Sequence, residues 1–298
     1  MSITATRLAT HVRTWLLIAG LTGLLFAIGA ALGGGWLWLF AAGAVLFNVG
    51  AYWFSDRLAL RTSRARPLEP GEAPGLEAIA HDLAGRAGVP VPRLYVIPSE
   101  QPNAFATGRN PAHAAVAVTE GLLLHLPPAQ VRGVLAHEFA HIANRDILVS
   151  SIAATVAGAV SAVANVLQLS LLFGGSDGED GPGLLGSLVT IIVAPLAAML
   201  LQLAVSRQRE YLADARGAQL LGRAAPLADA LETLERGTRA VPLPVNPAAA
   251  SLYIANPLPR AGLASLFMTH PPMAERVRRL RSLDGAPADG SPAAPLAA

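Results

Sequence analysis

Five consecutive residues, His137-Glu138-Phe139-Ala140-His141, combine two imidazoles and a carboxylate at a spacing that suits metal chemistry. On a helix, residues four positions apart share one face, so both imidazoles can bind the same ion. The carboxylate of Glu138 then lies beside that ion, where it can take a proton from a bound water. The pattern predicts a zinc-dependent peptide hydrolase with Glu138 as its catalytic residue. The alternative interpretation is an ordinary helix that carries two histidines, one of them packed.

A catalytic zinc normally has three protein ligands, so two histidines require a third donor elsewhere in the chain. Glu210 is the best candidate, and helical phasing places Asp214 on the same face, where it could orient a ligand imidazole. From spacing alone, an equally good alternative is that both carboxylates form a solvated acidic face paired with Arg207 or Arg209. Two histidines and one carboxylate also bind Fe(II) in oxygenases, although the spacing and helical context differ there.

The composition is that of a membrane protein. Hydrophobic residues make up 53% of the chain, charged residues only 14%, and the mean hydropathy is +0.46. Apolar stretches without charges predict two transmembrane hairpins, which occupy residues 1–56 and 149–205. Their four spanning helices lie near 15–33, 36–54, 149–173 and 183–205. The alternatives are a cleavable signal peptide for the first segment, which is long for that role, and buried core helices for the last two.

The charges that flank these segments predict their orientation. Arginines cluster before the first segment, after the second and after the fourth, whereas the connection between the third and fourth is acidic. Because arginine-rich flanks face the cytoplasm, the His-Glu motif should face the cytoplasmic side of an inner membrane. The absence of cysteine agrees weakly with a domain that needs no disulfide. A net charge of +2 gives no reason to expect nucleic acid as a partner.

Two polar blocks remain, residues 67–148 and 206–284, and they must meet in space to form one catalytic domain. In the first block we predict a helix at 75–87, strands at 93–98, 103–107 and 114–118, and a helix from Pro127-Pro128 that carries the His-Glu motif. The fold class expected is therefore a mostly α membrane protein with a small β-hairpin or sheet, in which four transmembrane helices accompany a cytoplasmic zincin-like metalloprotease domain.

Prolines and small residues mark two further segments. The proline-rich stretch 237–259 predicts a loop, which could serve as a lid. The last residues, 285–298, are rich in Ala, Pro and Gly without a periodic apolar face, and they predict a disordered tail.

Four parts of the chain resemble the HtpX-type membrane zinc metalloproteases, which are relatives of the CAAX prenyl protease family. They are Asn103-Ala104-Phe105-Ala106, His137 to Asn144, Arg209 to Asp214, and Ile254 to Leu258 followed by Thr269-His270-Pro271-Pro272. Their order also matches, and the resemblance covers nearly the whole chain to about Leu280.

The resemblance implies a ligand set for one zinc ion per chain, formed by His137, His141 and Glu210. It also implies that Glu138 is the general base and later the proton donor, and that Asp214 supports a ligand from behind.

The same resemblance implies that the segment formed by Asn103, Ala104, Phe105 and Ala106 is an edge strand to which an extended substrate adds by main-chain hydrogen bonds. A plain structural hairpin is the alternative. His270 could donate to the oxyanion of the reaction, or it could cap the helix that begins near Met273.

The resemblance suggests quality control of unfolded or damaged membrane proteins as the cellular task, with the lipid bilayer as the other partner. A prenyl-protein protease is less attractive, because four spans cannot easily build its chamber. A non-catalytic zinc-binding membrane scaffold is the competing interpretation. Glu138 speaks against it, because a closed structural zinc site has no use for a general base. Oligomeric state is left open by the sequence.

Overall fold

The computed structural model describes residues 35–156, 207–241, 247–257 and 271–284, together with the single residues 19, 22, 23, 26, 30, 243 and 245. Most of the first predicted span therefore lies outside the described residues, as do the fourth span, His270 and the tail at 285–298. The third predicted span is described only as far as Val156.

Helix α1, Trp36–Thr62, contains the second predicted span and runs past its expected end at residue 54. It ends where Arg64 adopts a left-handed backbone conformation, with φ 53°. Among the described residues, it is the one helix long and apolar enough to cross a membrane. Its large apolar side chains are mostly exposed, for example Trp38 at 76%. Such a surface suits contact with lipid, while the expectation of four spans stays a prediction.

A four-stranded sheet follows, with strand order β1-β2-β4-β3. Its strands are β1 Arg66–Pro67, β2 Arg93–Ile97, β3 Ala104–Thr107 and β4 Ala115–Thr119. β2 and β4 are parallel, whereas β3 and β4 form the predicted antiparallel hairpin, with Phe105 opposite Ala117. The hairpin connection contains Gly108 at φ 142° and a short 3-10 helix, Pro111–His113. Strand β3 thus lies at one edge of the sheet.

The remaining described elements are helical. They are α2 Pro74–Ala87, α3 Glu120–His125, α4 Pro128–Asn144, α5 Ile147–Val156, α6 Arg207–Leu221, α7 Ala225–Ala240, α8 Pro247–Ala250 and α9 Met273–Asp284. The helices predicted at 75–87 and from Pro128 are confirmed.

The prediction of one loop across 237–259 was wrong in two places. Helix α7 continues to Ala240, because its buried residues Leu227, Leu231 and Leu234 pack on the core and hold the helix beyond Gly237. A single helical turn, α8, begins at Pro247, and proline is well tolerated at the start of a helix.

Helix α4 lies at the centre of the domain and joins the two polar blocks. Its buried side chains Leu135 and Phe139 share one apolar core with Leu227 and Leu231 of α7 and with strand and α2 residues. Residues 67–148 and the described residues of 206–284 therefore pack together around the helix that carries the His-Glu motif, although a long segment of sequence separates them.

Candidate metal centre

His137 and His141 lie one turn apart on α4, and their rings converge on one point beside the helix. Helix α4 begins with Pro128 in its first turn and ends where Arg145 takes a left-handed conformation, at φ 64°. Between these ends the helix is regular, so His137 and His141 project from the same face. Their Nε2 atoms are 3.1 Å apart, with the two rings nearly perpendicular.

Helix α6 brings Glu210 to the same point. One carboxylate oxygen lies 3.7 Å from Nε2 of His137 and the other lies 3.6 Å from Nε2 of His141. Ligand atoms of the three residues all lie within 4.8 Å of one another. Ligands bound tetrahedrally to zinc at about 2.0–2.2 Å would be roughly 3.3–3.5 Å apart. Two imidazole nitrogens and a carboxylate at this spacing fit a zinc ion.

The alternative of a solvated acidic face is wrong, because Glu210 and Asp214 are only 5% and 4% exposed. Asp214 lies behind His137, with its Oδ1 2.9 Å from Nδ1 of the ring. This contact fixes the proton on Nδ1, so the lone pair that can bind a metal is the one on Nε2.

Asp146 has the same relation to His141, and it was not among the predicted site residues. Its Oδ2 lies 3.2 Å from Nδ1 of His141. The backbone N–H of Asp146 also donates to the carbonyl of His141, at 3.0 Å, and so anchors the residue just beyond the end of α4. The available signal was an acidic residue directly after the helix that carries the motif.

Arg276 of α9 is a second residue that was not among the predicted site residues. Its side chain is 0% exposed, and its guanidinium donates to both carboxylate oxygens of Asp214, at 2.8 and 2.7 Å. Burial would raise the pKa of Asp214, but the positive charge of Arg276 outweighs it and holds that pKa at about 2. Asp214 is therefore an ionised acceptor for His137.

Glu138 points to the edge strand and is 2% exposed. Burial, helped by the negative charge of Glu210, raises its pKa to about 7. The backbone N–H of Ala106 on β3 donates to its carboxylate. A carboxylate whose pKa lies near neutral pH is well matched to taking and returning a proton.

The two imidazoles differ in their protonation. Burial and the nearby Arg276 lower the pKa of His137 to about 4, so this ring is neutral at pH 7. Burial acts in the same direction on His141, but its hydrogen bond to Asp146 and the charge of Glu210 raise the pKa to about 9. Since a histidine must be neutral to bind a metal, a metal bound by His141 would displace its proton.

Comparison with known proteins agrees with this geometry. Residues 70–284 match peptidase family M48. The chain belongs to this family. It is thus a metalloprotease and a hydrolase.

Individual M48 relatives match over most of their length. The "Protease HtpX homolog" of Pelotomaculum thermopropionicum is 50% identical over 283 residues, which is 92% of this chain and 99% of the relative. That of Aquifex aeolicus is 48% identical over 268 residues, 88% of this chain and 89% of the relative. These matches confirm the resemblance to HtpX-type proteases. The crystal structure of S. mikatae Ste24p aligns with a TM-score of 0.48 and 19% identity, over 92% of this chain and 64% of that one.

The segment of this M48 chain predicted to bind substrate lies beside Glu138. Asn103 directly precedes β3, Ala104 is its first residue, and the ring centroid of the buried Phe105 lies 5.0 Å from that of Tyr253. The carbonyl of Ala104 already accepts a hydrogen bond from the N–H of Ile254, at 3.0 Å. The segment 253–255 therefore runs along the upstream part of the edge strand, while the role of the strand in substrate binding stays a prediction.

The side chain of Asn103 holds this neighbouring segment in place. Its amide donates to the carbonyl of Ala255 at 2.8 Å and accepts from the N–H of the same residue at 3.3 Å. The cleft beside the predicted metal ligands is also lined by Ala106, Ile147, Ser150, Ser251, Leu252 and Ile254. Apolar and small side chains, together with the charged Asp146 and Arg209, thus surround the three predicted ligands and Glu138.

Proposed function

We propose that this metalloprotease is a membrane-embedded zinc endopeptidase whose catalytic domain faces the cytoplasm. The observation that carries the proposal is the convergence of His137, His141 and Glu210, with their ligand atoms within 4.8 Å of one another, beside the buried Glu138. The apolar composition and the lipid-compatible surface of α1 support the membrane location. The arginine-rich flanks of the apolar segments support the orientation.

In this proposal, His137, His141 and Glu210 hold the ion, and Asp214 and Asp146 hold the two imidazoles in the orientation that binding requires. Zinc, when bound, supplies Lewis acidity toward water and the peptide carbonyl. Glu138 accepts a proton at its carboxylate and later donates it to the leaving amine. The N–H of Ala106 orients the carboxylate for both transfers.

The substrate is proposed to be an extended peptide that lies along the edge of the sheet. In the antiparallel pair of β3 and β4, alternate residues direct their backbone groups away from the partner strand. Ala104 and Ala106 do so here, because Ala104 accepts from Ile254 and Ala106 donates to Glu138. The carbonyl of Ala106 is therefore the group of β3 best placed to receive an N–H of the substrate.

Unfolded or damaged membrane proteins are the proposed substrates, and their quality control is the proposed task. The resemblance to HtpX-type proteases motivates this part of the proposal. An extended backbone is available in unfolded chains but not in folded domains, so binding by main-chain hydrogen bonds would favour them.

The decisive experiment measures casein cleavage by detergent-purified protein, with and without Glu138→Gln, in zinc-loaded and chelated samples. We expect zinc-loaded wild type to cut and chelated wild type not to cut. Glu138→Gln should bind one zinc per chain while its rate falls by about 10²–10⁴-fold, because proton transfer is lost and the ligands are kept. The exposed Glu120→Gln is the matched control and should keep full activity. Equal cleavage by Glu138→Gln and wild type would refute the mechanism.

A further inference from the structure

Arg276 is the largest fully buried side chain in the described part of the chain. Helix α9 carries three more arginines, Arg278, Arg279 and Arg281, whose side chains are exposed and pair with acidic groups at the surface. A buried guanidinium is costly unless its charge and its N–H groups are satisfied. The contacts of Arg276 therefore indicate the role of this buried side chain.

The first partner is Asp214, which Arg276 grips with a two-pronged contact. Nε donates to Oδ2 at 2.8 Å, and Nη2 donates to Oδ1 at 2.7 Å. Nδ1 of His137 lies 2.9 Å from the same Oδ1. Because a planar guanidinium fixes both oxygens of a carboxylate, it also fixes the direction in which Oδ1 meets the imidazole.

The second partner is the segment along the edge strand. Nη1 of Arg276 donates to the carbonyl of Ile254 at 3.1 Å, and the N–H of Ile254 donates to the carbonyl of Ala104 on β3 at 3.0 Å. Ile254 also lines the cleft. The guanidinium also lies against two predicted ligands directly, with Nη2 3.3 Å from Nδ1 of His137 and Nη1 3.7 Å from a carboxylate oxygen of Glu210. One guanidinium thus connects the imidazole of His137 with the wall of the cleft beside β3.

We propose that Arg276 is a positioning residue of the peptidase. Through Asp214 it fixes the imidazole of His137 in the orientation that zinc binding requires. Through Ile254 it holds the cleft wall against β3, the edge strand along which the substrate is proposed to bind. The second effect rests on the proposed function, whereas the first concerns zinc binding and can be measured without any cleavage.

The test uses the full chain in detergent, with Arg276→Met, Arg276→Lys and, as the matched control on the same helix, the exposed Arg278→Met. Zinc affinity is measured by competition with a chromophoric chelator. The values of kcat and KM are measured on a fluorogenic peptide, and stability is measured by thermal unfolding. We expect Arg276→Met to weaken zinc binding by about 10–100-fold, as is typical when a supporting contact of a ligand is removed, and to raise KM. Arg276→Lys keeps a positive charge beside Asp214 but cannot bond both carboxylate oxygens. Its zinc affinity and KM should therefore lie between those of wild type and Arg276→Met. Arg278→Met should match wild type.

A purely structural role would lower the melting temperature while zinc affinity and KM of the folded protein stay unchanged, and that result would overturn the proposal. If Arg276→Met does not fold, Arg276→Lys decides by the same two quantities. If wild type binds zinc but cuts no peptide, the proposed function fails, and the zinc affinities of the variants still decide the role of Arg276 toward His137.

Discussion

Replacement of Gly133 by alanine tests how closely α4, the helix of the His-Glu motif, must approach α7. A Cβ atom at this position would lie 2.6 Å from the carbonyl oxygen of Pro226 and 2.8 Å from the nitrogen of Leu227. Both are backbone atoms and cannot rotate away. Ordinary van der Waals contact between the added Cβ and the carbonyl oxygen of Pro226 begins at 3.4 Å. The two helices would therefore have to move apart by about 0.8 Å.

Two opposing effects set the size of the change. Removing glycine from a helix interior gains about 1 kcal/mol. Overpacking a close contact costs about 1–3 kcal/mol. Because the obstructing atoms belong to the backbone, we take the upper half of that range and expect Gly133→Ala to lose about 1–2 kcal/mol. Gly85→Ala is the matched control: Gly85 lies in α2 with nothing within 4 Å of the added Cβ, so it should gain about 1 kcal/mol.

The assay is thermal unfolding of zinc-loaded protein in detergent, followed by circular dichroism. For a domain the size of residues 70–284, 1 kcal/mol corresponds to roughly 2–4 °C. Gly133→Ala should therefore melt about 2–8 °C below wild type, and Gly85→Ala about 2–4 °C above it. If Gly133→Ala melts at or above the melting temperature of Gly85→Ala, α4 and α7 do not approach as closely as the 2.6 Å contact indicates, and the prediction is wrong.

Two further predictions concern the metal centre and the edge strand. Asp146→Ala removes the hydrogen-bond acceptor of His141 and should weaken zinc binding by about 10–100-fold in a chelator competition. Asp146→Asn keeps an acceptor oxygen and should lose less zinc affinity. Equal zinc affinities for wild type and Asp146→Ala would contradict this prediction. Asn103→Ala leaves the buried backbone groups of Ala255 without their partner, so we expect a loss of about 2–4 kcal/mol in thermal unfolding and a raised KM. Asn110 is half-buried, and its replacement by alanine is the control that should leave KM unchanged. A normal KM for Asn103→Ala would show that the hydrogen bonds between Asn103 and Ala255 do not shape the cleft.

Local features of this chain could be predicted from its sequence because they depend on neighbours along the chain. The relation of His137, Glu138 and His141 follows from helical periodicity alone, and α4 has the expected start at Pro128. The alternating apolar residues and turn of the β3–β4 hairpin are equally local. Helix ends were less predictable: α1 continues to Thr62 although its charge-free stretch ends earlier, because a helix can carry charged residues once it leaves the apolar layer.

The assignment of Glu210 needed the tertiary structure. Spacing alone left a ligand and a solvated acidic face equally open, since both place Glu210 and Asp214 on one side of a helix. Packing of α6 against α4 turns that side inward and sets Glu210 within 3.7 Å of both imidazoles. Gly217 permits the approach, because a Cβ there would already lie 3.2 Å from the backbone nitrogen of His137.

Arg276 shows most clearly what the sequence by itself does not determine. In the row of residues it is one arginine among four on α9, and composition gives no reason to prefer it. Leu280, one turn further along the same face, is also buried, so the docking of α9 on the core turns both side chains inward. The sequence alone determined the motif and the local elements that carry it. The rotation of each helix about its axis, and with it the partners of Asp214, was decided only when distant segments packed together.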